Sequence, residues 1–164
     1  MRLETMMDLY THELKDLYNA ESRLLNALPK LAAKASSSEL RSAIESHLKE
    51  TRTHHDRLEQ IFRGLDARPT GEQCEAMDGL LREADEILQA DGAGAAIDAG
   101  IIAMANRIEH YEIAGYGAAR THARDLGRDS DADLLDQTLQ EEAAADEALT
   151  NLATGRVNPD ACNC

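Results

Sequence analysis

The chain has 164 residues, 43% hydrophobic but only 3% aromatic, with no Trp and one Phe. That length suits one domain with a real core, built from Leu, Ile, Ala and Met as helix packing favours. A formal net charge of −14 repels nucleic acid and anionic membrane, whose binding rests on Lys and Arg meeting phosphates, and it suits cations as partners.

No basic, apolar, small-residue leader opens the sequence, and no apolar run approaches membrane-spanning length, so the expected location is the cytoplasm. The Cys count is odd, with two crowded at the C-terminus, which does not make a disulfide framework.

The first long helix is expected from about Leu3 to Ala35. Its seam is Leu3, Tyr10, Leu14, Leu17, Glu21, Leu24, Leu28, Leu31 and Ala35. After one step of seven the spacing alternates four and three, the mark of a helix facing a bundle core. One seam member, Glu21, is a carboxylate. Pro29 should kink the helix, because it frees the carbonyl of Leu25.

"SSSE" at 36–39 reads as a start signal, with Ser36 capping and Glu39 reaching back. Leu40, Ile44, His47, Thr51, His54, Leu58, Ile61 and Leu65 then form the second seam. Its middle is polar, and Glu50 lies beside it. "GLDARPTGEQ", 64–73, is a loop. A short amphipathic helix follows, from about Cys74 to Leu88, with Cys74 as a capping or packing residue. This long insertion can return the chain to its starting end before the third long helix begins.

The third long helix runs from about Ala95 to Leu126, with Ile101, Ala105, Ile108, Glu112, Gly115, Ala119, His122 and Leu126 on its seam. Gly100, Gly115 and Gly117 cost helix propensity and point to close backbone approach. "GRDSD" gives a Gly stop and a fresh cap at Ser130. The fourth long helix, about Ala132 to Ala153, carries Leu135, Thr138, Glu142, Ala145, Leu149 and Leu152. The bundle is thus expected over residues 1–154, with 155–164 as a polar, mobile tail.

Each long helix therefore places one Glu on or beside its seam near the middle: Glu21, Glu50, Glu112 and Glu142. A buried unpaired carboxylate is costly, and no Lys or Arg lies on the seams at matching heights. Four carboxylates at one level call for a multiply charged cation. His54 follows Glu50 by four residues and Asp146 follows Glu142 by four, so each pair shares a helix face. This is the logic of a carboxylate di-metal centre in an all-α four-helix bundle. Oxygen ligands with some imidazole suit iron or manganese. The usual spacing puts His three after Glu, where this chain has Thr53 and Ala145.

His47, three before Glu50, rivals His54 as the ligand; the offset mirrored by Asp146 favours His54. Either could instead donate to a carboxylate that holds metal. His55 points away from the seam, and His122 reads as a plain bundle residue. Tyr116, four after Glu112, is placed to hydrogen-bond a ligand or donate an electron. The alternative is simple packing with its hydroxyl at the surface. Cys162 and Cys164 could bind a soft metal or act as a redox pair, but two Cys do not complete a zinc site.

Five stretches, "DLYNAESRLLNALPKLA", "HLKETRTHHDRLEQIF", "CEAMDGLL", "IEHYEIAGYG" and "TLQEEAAADEAL", resemble the YciE/YciF ferritin-like proteins over about residues 6 to 152. The resemblance implies a ferritin-like bundle, a two-iron site, dimers rather than storage cages, and a link to bacterial stress responses, with ferroxidase the usual label. "IEHYE" is similar to the Glu-x-x-Glu of rubrerythrins, which adds Glu109 beside Glu112. Both cannot lie at the seam centre, and one could be exposed or only support a ligand. The implied metal set is Glu21, Glu50, His54, Glu109, Glu112, Glu142 and Asp146, holding two iron ions, or manganese, with dioxygen or hydrogen peroxide as reactant. The other function class is a non-catalytic helical stress or scaffold protein with a structural metal. No Gly-rich phosphate loop or nucleophile motif points to an organic substrate.

Overall fold

The computed structural model describes residues 3–70 and 72–163, which form helices and loops with no strand. Four long helices make the bundle: α1 (Met6–Lys34), α2 (Ser38–Leu65), α4 (Gly94–Asp125) and α5 (Asp129–Leu152). The short α3 (Glu75–Gln89) rides outside on the crossover. Around the bundle the order is α1, α2, α5, α4, each packed on the next and α4 closing on α1. Among the described residues, no helix is long and apolar enough to cross a membrane.

Start and stop chemistry explains most boundaries. Thr5 accepts from the Asp8 amide while the Asp8 side chain accepts from the Thr5 amide, a reciprocal cap that supplies partners to otherwise orphaned amides. Pro29 lies inside α1, which continues through it to Lys34. The cap of α2 is Ser37, accepting from Leu40, and not Ser36 as the sequence suggested. Ser36 is drawn off by Asp98, a buried carboxylate on α4, which accepts from the Ser36 amide (2.8 Å), the Ser36 hydroxyl (2.6 Å) and the Ser37 amide (2.8 Å). That knot fastens the α1–α2 loop to the first turns of α4. At the opposite end, Arg128 donates to Gly64 at the close of α2 and pairs with Asp131, which in turn accepts from Tyr10.

The crossover therefore returns the chain to its starting end. It leaves α2 beside the α4–α5 turn and enters α4 beside the α1–α2 loop. Cys74 caps α3, its sulfur accepting from the Met77 amide at 3.4 Å. Gly115 allows the approach expected of it: a Cβ there would meet Leu17 Cδ2 at 2.8 Å, whereas one at Gly117 would meet nothing within 4 Å. Gly127, with φ of 68°, turns the chain into α5. The side chain of Ser130 does not cap that helix; Arg128 occupies the capping position without a side-chain bond.

The C-terminal segment differs from the polar tail expected. The helix continues as a π-helical turn, Ala153–Val157, and a short α6, Asn158–Cys162, with Val157 buried in the core. Cys162 is exposed, and Cys164 lies outside the described residues.

The core is two apolar clusters. One holds Leu24, Leu28, Leu31, Ile44, Ile101 and Ile108 with the inner face of α3; the other holds Tyr10, Leu14, Leu17, Leu58, Phe62 and Tyr116. Between them, every bundle helix contributes buried polar side chains.

Candidate metal centre

The periodicity that builds the core also builds this layer. Glu21 follows Leu14 and Leu17 on α1 at the next helical step, and is fully buried. On α2, His47, Thr51 and His54 occupy the inward positions between Ile44 and Leu58. Glu109, Glu112 and Tyr116 face inward from α4, and Thr138 and Glu142 from α5. The two hydroxyls are satisfied locally: Thr51 donates to the His47 carbonyl, and Thr138 accepts from Arg57. The carboxylates and imidazoles remain.

They form two groups that share one residue. In the first, His54 Nδ1 lies 2.9 Å from Glu142 Oε1 and 3.5 Å from Glu21 Oε1. The other ring nitrogen meets Glu141 Oε2 at 2.9 Å, and Glu141 is held by a bidentate pairing with Arg57. Tyr116, completely buried, donates its hydroxyl to Glu21. Burial acts to lower the His54 pKa, but Glu142 and Glu21 beside it outweigh that and lift it to about 10. His54 is thus an imidazolium at neutral pH in the metal-free protein.

In the second group, His47 Nε2 lies 3.2 Å from Glu109 Oε1 and 3.8 Å from Glu142 Oε2, with Glu112 alongside. Burial pushes the pKa of Glu109 and Glu112 well above the usual carboxylate range. The negative charge of Glu142 adds to this for Glu109, and that of Glu21 and Glu142 for Glu112. Burial would raise Glu142 as well. The His54 and Glu109 side chains and the His47 imidazole beside it reverse this, leaving Glu142 below its ordinary value. The two shifts run in opposite directions, so Glu109 holds a proton more tightly than an ordinary carboxyl and Glu142 less tightly.

One potential ligand atom per residue lies within 4.8 Å of the others in each group: Glu21, His54 and Glu142 in one, and His47, Glu109, Glu112 and Glu142 in the other. Glu142 belongs to both.

The family described as a domain of unknown function, DUF892, matches residues 5–162. Protein YciF of Escherichia coli K12 is 40% identical over 164 residues, covering 99% of both chains. The chain belongs to this YciF-containing family. The crystal structure of the E. coli stress protein YciF superposes with a TM-score of 0.91 at 40% identity, over 95% of this chain and 99% of that one. YcfI of Rhodopseudomonas palustris, proposed as a structural protein, gives 0.86 at 41% identity over 90% and 94%. A Xanthomonas campestris protein gives 0.75 at 20% identity over 93% and 94% and shares the fold.

In this DUF892 chain the structure brings together Glu21, His54, Glu109, Glu112 and Glu142 from the set expected of the sequence. Glu109 and Glu112 are both buried, so neither is the exposed residue that one of them could have been. Residues three apart on a helix are neighbours, so both reach the same side. His47 and His54 lie in different groups, so the layer has a place for both. Glu50 joins neither group: it stands half-exposed beside the seam, its Oε2 3.6 Å from His47 Nδ1. Asp146 also lies outside both, its Oδ1 3.6 Å from the exposed His110. The Tyr116 hydroxyl is at Glu21, not at the surface. Sequence reasoning missed Glu141 and Arg57, hidden in an acidic run and on a mostly polar face. The available signal was Arg57 three residues after His54, on the same side of α2.

The residues fit a metal. Both oxygens of Glu112 and of Glu142, one each of Glu21 and Glu109, both nitrogens of His47 and Nδ1 of His54 are buried without a hydrogen-bonding partner. Buried polar atoms are almost always satisfied, and so many orphans in one layer are what ligand atoms look like once the cation is removed.

Proposed function

We propose that the polar layer binds two metal ions, iron with manganese as the alternative, and acts on dioxygen or hydrogen peroxide as a ferroxidase- or peroxidase-like centre. The observation that carries this is the set of orphaned carboxylate oxygens and imidazole nitrogens, arranged as two groups joined by Glu142. A carboxylate common to two groups suits a bridging ligand, and mixed oxygen and nitrogen donors suit iron and manganese. The E. coli relative's description as a stress protein accords with removing an oxidant.

Bound ferrous ions would supply the electrons for reducing peroxide or dioxygen. The protein's own contributions follow from geometry. Glu21 and His54 would hold one ion and His47, Glu109 and Glu112 the other, with Glu142 common to both. Glu141, fixed by Arg57, orients His54 through its second nitrogen and leaves Nδ1 directed at Glu21 and Glu142. This is the carboxylate–histidine pairing that fixes a ligand's tautomer. Tyr116 holds Glu21 and presents a buried phenol at the site. The apolar clusters on either side exclude bulk water.

Anaerobic titration with Fe(II), followed by peroxide, tests the reading. About two irons per chain and a near-ultraviolet ferric absorbance are expected. If the wild type takes up no iron beyond a Glu112→Ala/Glu142→Ala double variant, the assignment fails.

A non-catalytic role is the second reading. It is favoured by His54, which neutralises one end of the layer without any metal, and by the description of the R. palustris relative. It requires iron to raise the melting temperature without peroxide turnover.

A further inference from the structure

A cavity of about 230 Å³ opens between α2 and α5 and reaches the polar layer. Its outer lining is made of small side chains, including Ala43 on α2 and Ala144 and Ala148 on α5, which leave the gap between the helices. Its deeper lining is aliphatic: Leu28, Leu31, Ile44 and Leu149, all buried. His47 and Glu109 also line it, and Glu109 Oε2 is a buried oxygen with no partner.

These features define a ligand. Water is held in cavities by two to four polar partners, and aliphatic walls offer none, so an apolar body is the better occupant. An apolar cavity of about 150 Å³ accommodates benzene, so this one has room for roughly ten non-hydrogen atoms. Anionic heads are excluded by Glu50 and Glu141, which also line the cavity. A cationic head would shed its hydration shell against the aliphatic walls, at large cost. A hydroxyl can both donate and accept where Glu109 and His47 line the cavity.

We propose that this cavity binds a small uncharged molecule with an aliphatic or aromatic body and one hydroxyl or hydroperoxyl head, the head seated at His47 and Glu109. Organic hydroperoxides are the peroxidic members of that class. As a substrate port the cavity rests on the metal-centre reading above; as a binding site it does not.

The test uses metal-free full-length protein and 2-phenylpropan-2-ol, the stable alcohol matching an aromatic hydroperoxide. Calorimetric titration should show saturable binding of the alcohol. The amine and the carboxylate of the same body should bind at least about tenfold more weakly, a difference of roughly 1.4 kcal/mol. Ala144→Leu and Ala43→Leu, which narrow the gap from opposite helices, should each weaken the alcohol at least about tenfold while iron stoichiometry stays as in the wild type. Circular dichroism confirms that each variant is folded. No binding of the alcohol, tighter binding of the amine or carboxylate, or unchanged binding in both folded variants overturns the proposal. Iron uptake without alcohol binding defeats the cavity and spares the metal centre; alcohol binding without iron uptake does the reverse.

Discussion

Around His54 opposite charges face one another. One ring nitrogen faces Glu141, which Arg57 holds; the other faces Glu142 and Glu21, and Tyr116 donates to Glu21. Around His47 the same residue types are left unanswered, with Glu112 having no partner at either oxygen. One end of the layer therefore has an internal cation beside its carboxylates, and at the other burial and neighbouring charge raise the proton affinity of Glu109 and Glu112. The difference shows how a bundle can carry four buried carboxyl and two imidazole groups without metal and still fold. It also shows where an incoming cation gains most, which is where it displaces protons from costly carboxyls. At the His54 end it must displace an imidazolium proton instead.

Glu142 is the residue the two ends share, so its loss should erase the contrast. Glu142→Ala is expected to lower iron content from about two per chain to near zero, with affinity down more than about 100-fold at both ends. Anaerobic equilibrium dialysis reads this directly. Retention of one tightly bound iron would show that the two groups are independent.

Glu112→Leu attacks the unanswered end alone. Replacing a buried unpaired carboxyl by an apolar side chain should stabilise the metal-free protein by about 1–4 kcal/mol, while iron content falls by about half. The pH dependence supplies the sign. A carboxyl raised in the folded state binds its proton more tightly there than when unfolded, so stability is lost as pH rises from the ordinary carboxylate range through the folded value. Metal-free wild type should thus melt at lower temperature as pH climbs above about 5, and Glu112→Leu should flatten that slope. His54 adds a loss of the same sign between about 6.5 and about 10. A variant less stable than wild type across this range would mean that Glu112 has a partner in the metal-free fold.

Glu141→Gln attacks the answered end. It keeps the shape and weakens the grip on the second nitrogen of His54, so one iron should bind about 10- to 100-fold more weakly while the other is unaffected. Two-site calorimetric analysis separates them. Equal weakening of both sites would move Glu141 from positioning His54 to holding the whole layer.

These assignments divide by what each side chain does. The helices and the inward positions of Glu21, His47, His54, Glu112 and Glu142 were legible because a polar residue inside a four-three apolar seam stands out against Leu and Ile. Cys74 as the cap of α3 was legible from its place between a loop and an amphipathic run. The α2 cap was not, because Ser36 is claimed by Asp98, 62 residues away, and no local pattern reveals such a partner. Glu50 was overvalued for a related reason. Next to a seam and four before a His it has a ligand's spacing, but Thr51 takes the inward place and leaves it half-exposed. Glu141 was undervalued because its role depends on α2 packing against α5, and a helical repeat cannot say which outer face meets which neighbour.

Tyr116→Phe probes the smallest contrast, between a phenol that only fills space and one that holds a ligand. Phe keeps the ring packed among Leu17, Leu58 and Phe62 in the same cluster, so little transfer energy is lost. What disappears is the hydroxyl given to Glu21. In metal-free protein that oxygen then has only the imidazolium nearby, and a loss of about 1–2 kcal/mol is expected. In iron-loaded protein the cation takes over part of the satisfaction of Glu21, so the loss should shrink below about 1 kcal/mol. Thermal melts of the two proteins, each with and without iron, give the four values needed. Equal losses in both states would leave Glu21 outside the metal's reach. An unchanged melt in both states, with slower peroxide turnover, would make Tyr116 an electron donor and not a support for Glu21.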